Sequence, residues 1–178
     1  ELPLDAVVLE TFAQAAARLR QARPDARLFL HAHDPRLSLL PGSLLLDSQI
    51  VGVTGSVGKT STKEMLRLAL AVSGLTHSSV ASFNNHWGVP LTLSRMPRNA
   101  AYGVFEIGMN HVGEITPLVG MVRPHVAIVT NVAPVHIGNF NSVEDIADAK
   151  AEIFTGVEAG GHAVLNRDNP FFDRLAAA

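Results

Sequence analysis

The sequence predicts an α/β fold: a mostly parallel sheet with helices on both faces and a phosphate-binding loop after its first strand. Three observations predict it. The short apolar runs IVGVT (50–54), VFEIG (104–108), VAIVT (126–130) and HAVLN (162–166) have strand length. Segments with helical spacing lie between them, and parallel neighbours need such crossovers. The turn after the first run, GSVGKTS, is glycine-rich and ends in a lysine and hydroxyls where a helix begins.

In chain order, residues 6–23 predict a helix. Leu9, Phe12, Ala13, Ala16 and Leu19 carry the 3.6 period, and Pro24 ends it. Residues 27–49 are apolar but broken by Pro35 and by Pro41 with Gly42, which predicts short strands or turns. A domain boundary falls near 46–49. Residues 59–73 predict a helix with Met65, Leu68, Ala69 and Val72 on one face, ended by Gly74. Further helices are expected near 87–95, 113–121 and 143–157. The chain shows no internal repeat and no low-complexity segment.

Composition narrows the function. The 178 residues are 47% hydrophobic and 17% charged, so the chain can bury a core. A formal charge of −2 with interspersed signs gives no footprint for nucleic acid or for an anionic membrane. There is no cysteine, so disulfides and thiolate metal sites are excluded and a reducing, cytoplasmic setting is compatible. No apolar run reaches the roughly 18 residues of a membrane helix, so membrane insertion is not expected. ELPLDAVVLE lacks an initiator Met and a signal-peptide layout, and the chain ends in RLAAA. Both ends are expected to be cuts in a longer protein.

GVTGSVGKTS (52–61) lies between a strand and a helix, the context a phosphate loop requires. Its glycines let successive N–H groups turn toward phosphate oxygens. Lys59 would reach the β and γ phosphates, and the Thr60 hydroxyl would sit on Mg²⁺. The strict pattern wants a glycine where Val53 stands, so this is a G-x-x-G-x-x-G-K-T variant. An ordinary glycine-rich turn is the alternative, but a turn needs neither the lysine nor the hydroxyls.

In parallel sheets, ligands gather outside the carboxyl ends of the strands. Glu106, near the tip of one run, is placed to hold Mg²⁺; a glutamate on a solvent-facing edge is the alternative. His136 follows VAIVT by six residues, as a metal ligand or phosphate contact, or as a solvated loop histidine. Asn84 and Asn85, in SFNNHWGVPLTL, bind polar ligands or cap a helix. His31 and His33 would share a strand face, but no third ligand accompanies them, so HAHD is not taken as a metal site.

DIADAKAEIF (145–154) puts Lys150 on the apolar stripe of Val143, Ile146, Ala147, Phe154 and Val157, in a chain with only three lysines. Three readings are open. The lysine snorkels, its stem buried and its head in water. It pairs with Asp148 or Glu152, although both face elsewhere on the helix. Or burial frees its amine, which can add carbon dioxide to give a carbamate that ligates Mg²⁺.

GVTGSVGKTSTKEML, ASFNNHWGVPLTL, FEIGMNHVGEI, TNVAPVHIGNF, DAKAEIF and VLNRDNP occur in this order. Together they resemble the central domain of the Mur ligases over roughly residues 49–175. The resemblance implies an ATP-dependent amide ligase of peptidoglycan precursor synthesis, cytoplasmic and monomeric. Among members it is most similar to the one that adds D-alanyl-D-alanine to UDP-N-acetylmuramoyl-tripeptide through an acyl phosphate. A single-amino-acid or folylpolyglutamate ligase of the same family, or a nucleotide-binding module without catalysis, are the alternatives. By motif, Gly55, Ser56, Val57, Gly58, Lys59, Thr60 and Ser61 would bind the phosphates, with Asn131, Asn166 and Asp168 near the nucleotide. Thr60 and Glu106 would hold one Mg²⁺. Glu106, His136 and Lys150 would surround a second, with Lys150 carbamoylated. Lys59, Glu106, His136 and Lys150 would carry catalysis, and Asn84 and Asn85 would meet the UDP-linked muramoyl peptide. Residues 1–46 are then expected to be a divergent N-terminal segment with a lead-in helix. Residues 47–178 are expected to be a truncated central ATP-binding domain, which alone binds nucleotide without turnover. Residues 27–49 match nothing in the family pattern.

Overall fold

The computed structural model describes residues 48–135 and 137–178. The helix expected at 6–23, the broken stretch at 27–47, the HAHD motif and His136 lie outside the described residues.

Five strands form one sheet, in the order β2-β3-β1-β4-β5 with every neighbouring pair parallel. They are β1 (Gln49–Thr54), β2 (Thr76–Ser78), β3 (Tyr102–Glu106), β4 (Val126–Val129) and β5 (His162–Leu165). β1 is central and buried from Ile50 to Thr54, which is why it reads as an unbroken apolar run and does not alternate. Its register against β3 sets Val53 beside Glu106, and against β4 sets Thr54 beside Val129. The expected strand at 104–108 begins and ends two residues earlier. β2 was not predicted: THS is short, polar and half-buried, and it carries too few apolar residues to signal a strand.

Helices cover both faces. α2 (Gly88–Arg95), α3 (Ile115–Val122), α4 (Val143–Ala151) and the short α5 (Phe172–Ala176) pack with Ile50, Phe105, Ala127 and Val129 in the larger core. α1 (Lys59–Ala71) lies on the opposite face, where Leu66 and Leu70 meet Val51, Val53 and Val104. The sequence assigned the wrong stripe of α1 to the interior. Met65, Leu68 and Val72 are 63%, 60% and 89% exposed, whereas Lys63 points inward with Leu66 and Leu70. The lysine occupies an inward position because its ammonium finds backbone acceptors there, a satisfaction that hydrophobic periodicity cannot register.

The helix expected at 143–157 is shorter. It ends at Ala151 and tightens into a 3₁₀ segment, Glu152–Gly156, which removes Val157 from the helical stripe. It starts at Val143 as expected, and the structure supplies the cap: Ser142 accepts a hydrogen bond from the Asp145 N–H at 3.1 Å. Glu152 then does a job for another helix. Its carboxylate accepts from the N–H groups of Gly113, Ile115 and Thr116 at 2.6, 3.1 and 3.0 Å, and from the Thr116 hydroxyl at 3.0 Å. These are the orphan donors of the α3 N-terminus, satisfied from the opposite helix. Glu152→Ala is expected to lower stability by about 1–2 kcal/mol, read as a shift of the urea midpoint with an unchanged slope.

Candidate functional site

Because all five strands run parallel, their carboxyl ends share one edge. The turn after β1 is the predicted loop. Gly55 sits at φ 147°, and a Cβ there would collide with the Thr130 hydroxyl oxygen, so only glycine fits. Gly58, at φ 83°, delivers the chain into α1. The segment after β4 clamps the loop from outside. Ser56 donates its N–H to the Asn131 carbonyl at 2.8 Å, and its hydroxyl pairs with the backbone of Ala133 at 2.9 Å. Thr130 donates its hydroxyl to the Val57 carbonyl at 2.6 Å. Lys59 bends back and donates to the Gly55 carbonyl at 2.8 Å. Burial pulls its pKa down, and the nearby Glu106 carboxylate offsets part of that shift.

Glu106 ends β3 and is 1% exposed, which rules out the solvent-edge alternative. One oxygen accepts from the Thr60 hydroxyl at 2.9 Å, the other from the Asn84 amide at 2.7 Å. Its own N–H donates to the Ser79 hydroxyl at 3.1 Å. Asn84 is held in turn by Gly108, whose N–H donates to the Asn84 carbonyl at 2.8 Å. A Cβ on Gly108 would press into the Asn84 amide at 2.8 Å, so the close approach needs glycine. Asn85 behaves differently. Its side-chain oxygen accepts from the N–H groups of Trp87 and Gly88 at 3.1 and 2.9 Å and caps α2.

Lys150 lies in α4 and is 4% exposed, so it does not snorkel. Neither acid considered as its partner is available. Asp148 accepts two bonds from Arg174, at 2.6 and 2.7 Å, and Glu152 caps α3. Burial, and then the charge of Lys59, lower the Lys150 pKa to about 8. Lys150 therefore feels Lys59, and Lys59 feels Glu106, so the three share one electrostatic neighbourhood.

Two buried polar atoms beside the loop, the Thr54 hydroxyl and the Asn131 side-chain oxygen, have no partner among the described residues. Unpaired buried polar groups are costly unless something else satisfies them. With the glycine cradle and the lysine, the Thr54 hydroxyl fits a phosphate-bearing ligand, and the Asn131 oxygen, an acceptor, fits a donor group or cation that accompanies it. Thr60 and Glu106 offer adjacent hydroxyl and carboxylate oxygens, the hard donors that magnesium takes.

Residues 53–178 match the Mur ligase middle domain. The chain belongs to the Mur ligase family. It is 43% identical over 122 residues to the UDP-N-acetylmuramoyl-tripeptide--D-alanyl-D-alanine ligase of Escherichia coli, covering 68% of this chain and 27% of that protein. Against the same ligase of Rickettsia prowazekii it is 38% identical over 128 residues, 72% of this chain and 28% of that protein. Among solved structures, MurF from Acinetobacter baumannii superposes with a TM-score of 0.74 at 34% identity, over 83% of this chain and 34% of that one. MurF from Thermotoga maritima, solved in complex with ADP, gives 0.70 at 29% identity, over 78% and 32%. The chain thus spans about a third or less of the length of these relatives.

In this Mur ligase domain Asn166 and Asp168 lie at the same edge, while His136 is outside the described residues. Asn166 follows β5, where its side chain accepts from the Asp168 N–H at 3.0 Å in a tight turn. Asn169 ties that turn to the segment after β4 by donating to the Val132 carbonyl at 3.0 Å. Sequence reasoning missed Thr130, Ser79 and Lys63. The last carried a usable signal, a lysine four residues after Lys59 on the same helix, but its apolar neighbours gave no hint of what it reaches.

Lys150 makes a pH-dependent contribution whose sign follows from its lowered pKa. Between pH about 8 and 10.5 the unfolded chain holds a proton on this amine that the folded chain has released. Its burden on stability is therefore greatest below pH 8 and lifts as pH rises toward 10.5. Lys150→Met is expected to stabilise the fold at pH 7 in CO₂-free buffer, with the gain shrinking above pH 8. Denaturant titrations at pH 7 and pH 10 would measure it.

Proposed function

We propose that the protein is an ATP-dependent ligase that joins D-alanyl-D-alanine to UDP-N-acetylmuramoyl-tripeptide. The observation that carries this reading is Glu106. One of its oxygens meets the phosphate-loop side through Thr60, and the other meets the FNN segment through Asn84. A single carboxylate would thereby face both the nucleotide and the acceptor.

Gly55 to Ser61 would cradle the triphosphate, with N–H groups and the α1 N-terminus turned to its oxygens. Lys59 would exchange the Gly55 carbonyl for the β and γ phosphates. Asn131, Asn166 and Asp168 would contact the nucleotide, and Asn84, with Asn85 beside it, would meet the muramoyl peptide. Magnesium, held by Thr60 and Glu106 and at a second position by Glu106, His136 and a carbamoylated Lys150, would neutralise charge on the phosphoryl oxygens. The tripeptide carboxylate oxygen attacks the γ phosphorus, and ADP leaves. The dipeptide amine would then attack the acyl carbon: the C–N bond forms, the C–O bond breaks, and the proton lost from nitrogen leaves with the phosphate. Residues that orient the two reactants supply much of the rate. Such a reaction belongs where ATP and the nucleotide-linked sugar are made, the cytoplasm.

The full-length protein is expected to release phosphate from ATP only when muramoyl-tripeptide and D-alanyl-D-alanine are both present. Release with a single amino acid instead would reassign the substrate. Lys59→Ala should weaken Mg-ATP binding at least about tenfold by calorimetry, because a charge-assisted contact is lost; equal binding would remove the phosphate-loop assignment. In ¹³C-bicarbonate, the wild type should show a carbamate carbon resonance that Lys150→Met lacks.

A further inference from the structure

Lys63 is the largest fully buried side chain among the described residues, with 0% exposure. It is also one of the chain's three lysines, and the function above uses only the other two. Its ammonium has three N–H groups and three acceptors. It donates to the carbonyls of Ser79 and Ala81, both at 2.7 Å, and it meets the Glu64 carboxylate at 2.9 Å. Glu64 is partly exposed and also holds Arg67, so the two carbonyls are what Lys63 uniquely secures.

Those carbonyls belong to a turn that needs holding. Ala81 sits at φ 47°, a left-handed conformation that residues with a Cβ rarely adopt. The turn leads from β2 into Asn84, and both of its ends are fastened to the exit of β3. At the near end the Ser79 N–H donates to the Val104 carbonyl at 3.2 Å, and the Ser79 hydroxyl receives the Glu106 N–H. At the far end Asn84 holds Glu106 and Gly108. Thr60, three residues before Lys63 on α1, closes the ring by donating to Glu106. The circuit runs Thr60, Glu106, Asn84, the turn, Lys63 and back along one turn of helix.

We infer that Lys63 is a positioning residue: by tying the 79–81 turn to α1, it sets Asn84 and Glu106 against the phosphate loop and couples the acceptor side of the site to the nucleotide side. This rests on the ligase reading above. The three N–H groups of Lys63 are all taken by protein acceptors and two of them hold the turn that leads to Asn84, so its loss should fall on the acceptor. In the full-length enzyme, Lys63→Met is expected to raise KM for the muramoyl-tripeptide about tenfold or more. Affinity for Mg-ADP should stay within about twofold of wild type.

The deciding readout is a double-mutant cycle with Asn84→Ala. If Lys63 acts through the turn, the pair Lys63→Met and Asn84→Ala shows no higher KM than Asn84→Ala alone. Effects that multiply, or an equal weakening of Mg-ADP binding, would overturn the inference and leave Lys63 as general support. Should Lys63→Met not fold, Lys63→Gln, whose amide can hold no more than part of what the ammonium holds, enters the same cycle with the same expectation. Wild-type turnover separates the two claims. An enzyme inactive with D-alanyl-D-alanine refutes the substrate assignment, and the cycle is then read with whichever amine drives phosphate release.

Discussion

A carboxylate with 1% exposure is the constraint around which this domain is organised. Removing a charge of that kind from water is expensive unless every oxygen is met by a donor. Glu106 is met by the Thr60 hydroxyl and the Asn84 amide, and its backbone by the Ser79 hydroxyl. Those partners come from two pieces of chain: the helix after β1, which carries Thr60, and the stretch after β2, which carries Ser79 at its start and Asn84 at its end. Satisfying one residue therefore fixes how α1, the FNN segment and the tip of β3 lie against each other. The glycines follow from the same demand. Gly55 and Gly108 stand where backbone must come within van der Waals contact of the groups that serve the site.

The parallel sheet explains why so many functional candidates are neighbours despite wide separation in sequence. Each strand delivers its following loop to one edge, and crossovers place helices behind it. Thr130 and Ser56, which clamp the loop, are 74 positions apart in the chain yet belong to adjacent strand exits. The two orphaned oxygens of Thr54 and Asn131 lie at those same exits. An edge that accumulates unsatisfied polar atoms while the body of the sheet is apolar is built to hold something polar.

Much of this was legible in the sequence. The apolar runs at 50–54, 126–130 and 162–166 became strands within a residue, since a buried parallel strand leaves a continuous hydrophobic mark. The glycine-lysine-threonine turn was also evident, and Lys150 stood out on its apolar stripe, but only its 4% exposure decided against snorkelling. What stayed hidden was decided by tertiary contacts. β2 forms because β3 offers a partner, since THS has no strong propensity of its own. The inward face of α1 was misassigned because Met65, Leu68 and Val72 are more apolar than a face containing Lys63. The roles of Asn84 and Asn85 could not be separated by spacing: adjacent identical amides point to a carboxylate and to a helix start.

The distribution of lysine has a practical side. The chain's only lysines are Lys59, Lys63 and Lys150, two of them buried and the other in the phosphate loop. Cationic charge elsewhere is carried by arginine. Within residues 1–178 an acylating reagent therefore meets no lysine that is an ordinary surface amine. Amine labelling, normally an indiscriminate measure of a protein's exterior, becomes here a reporter on the occupancy of a single site.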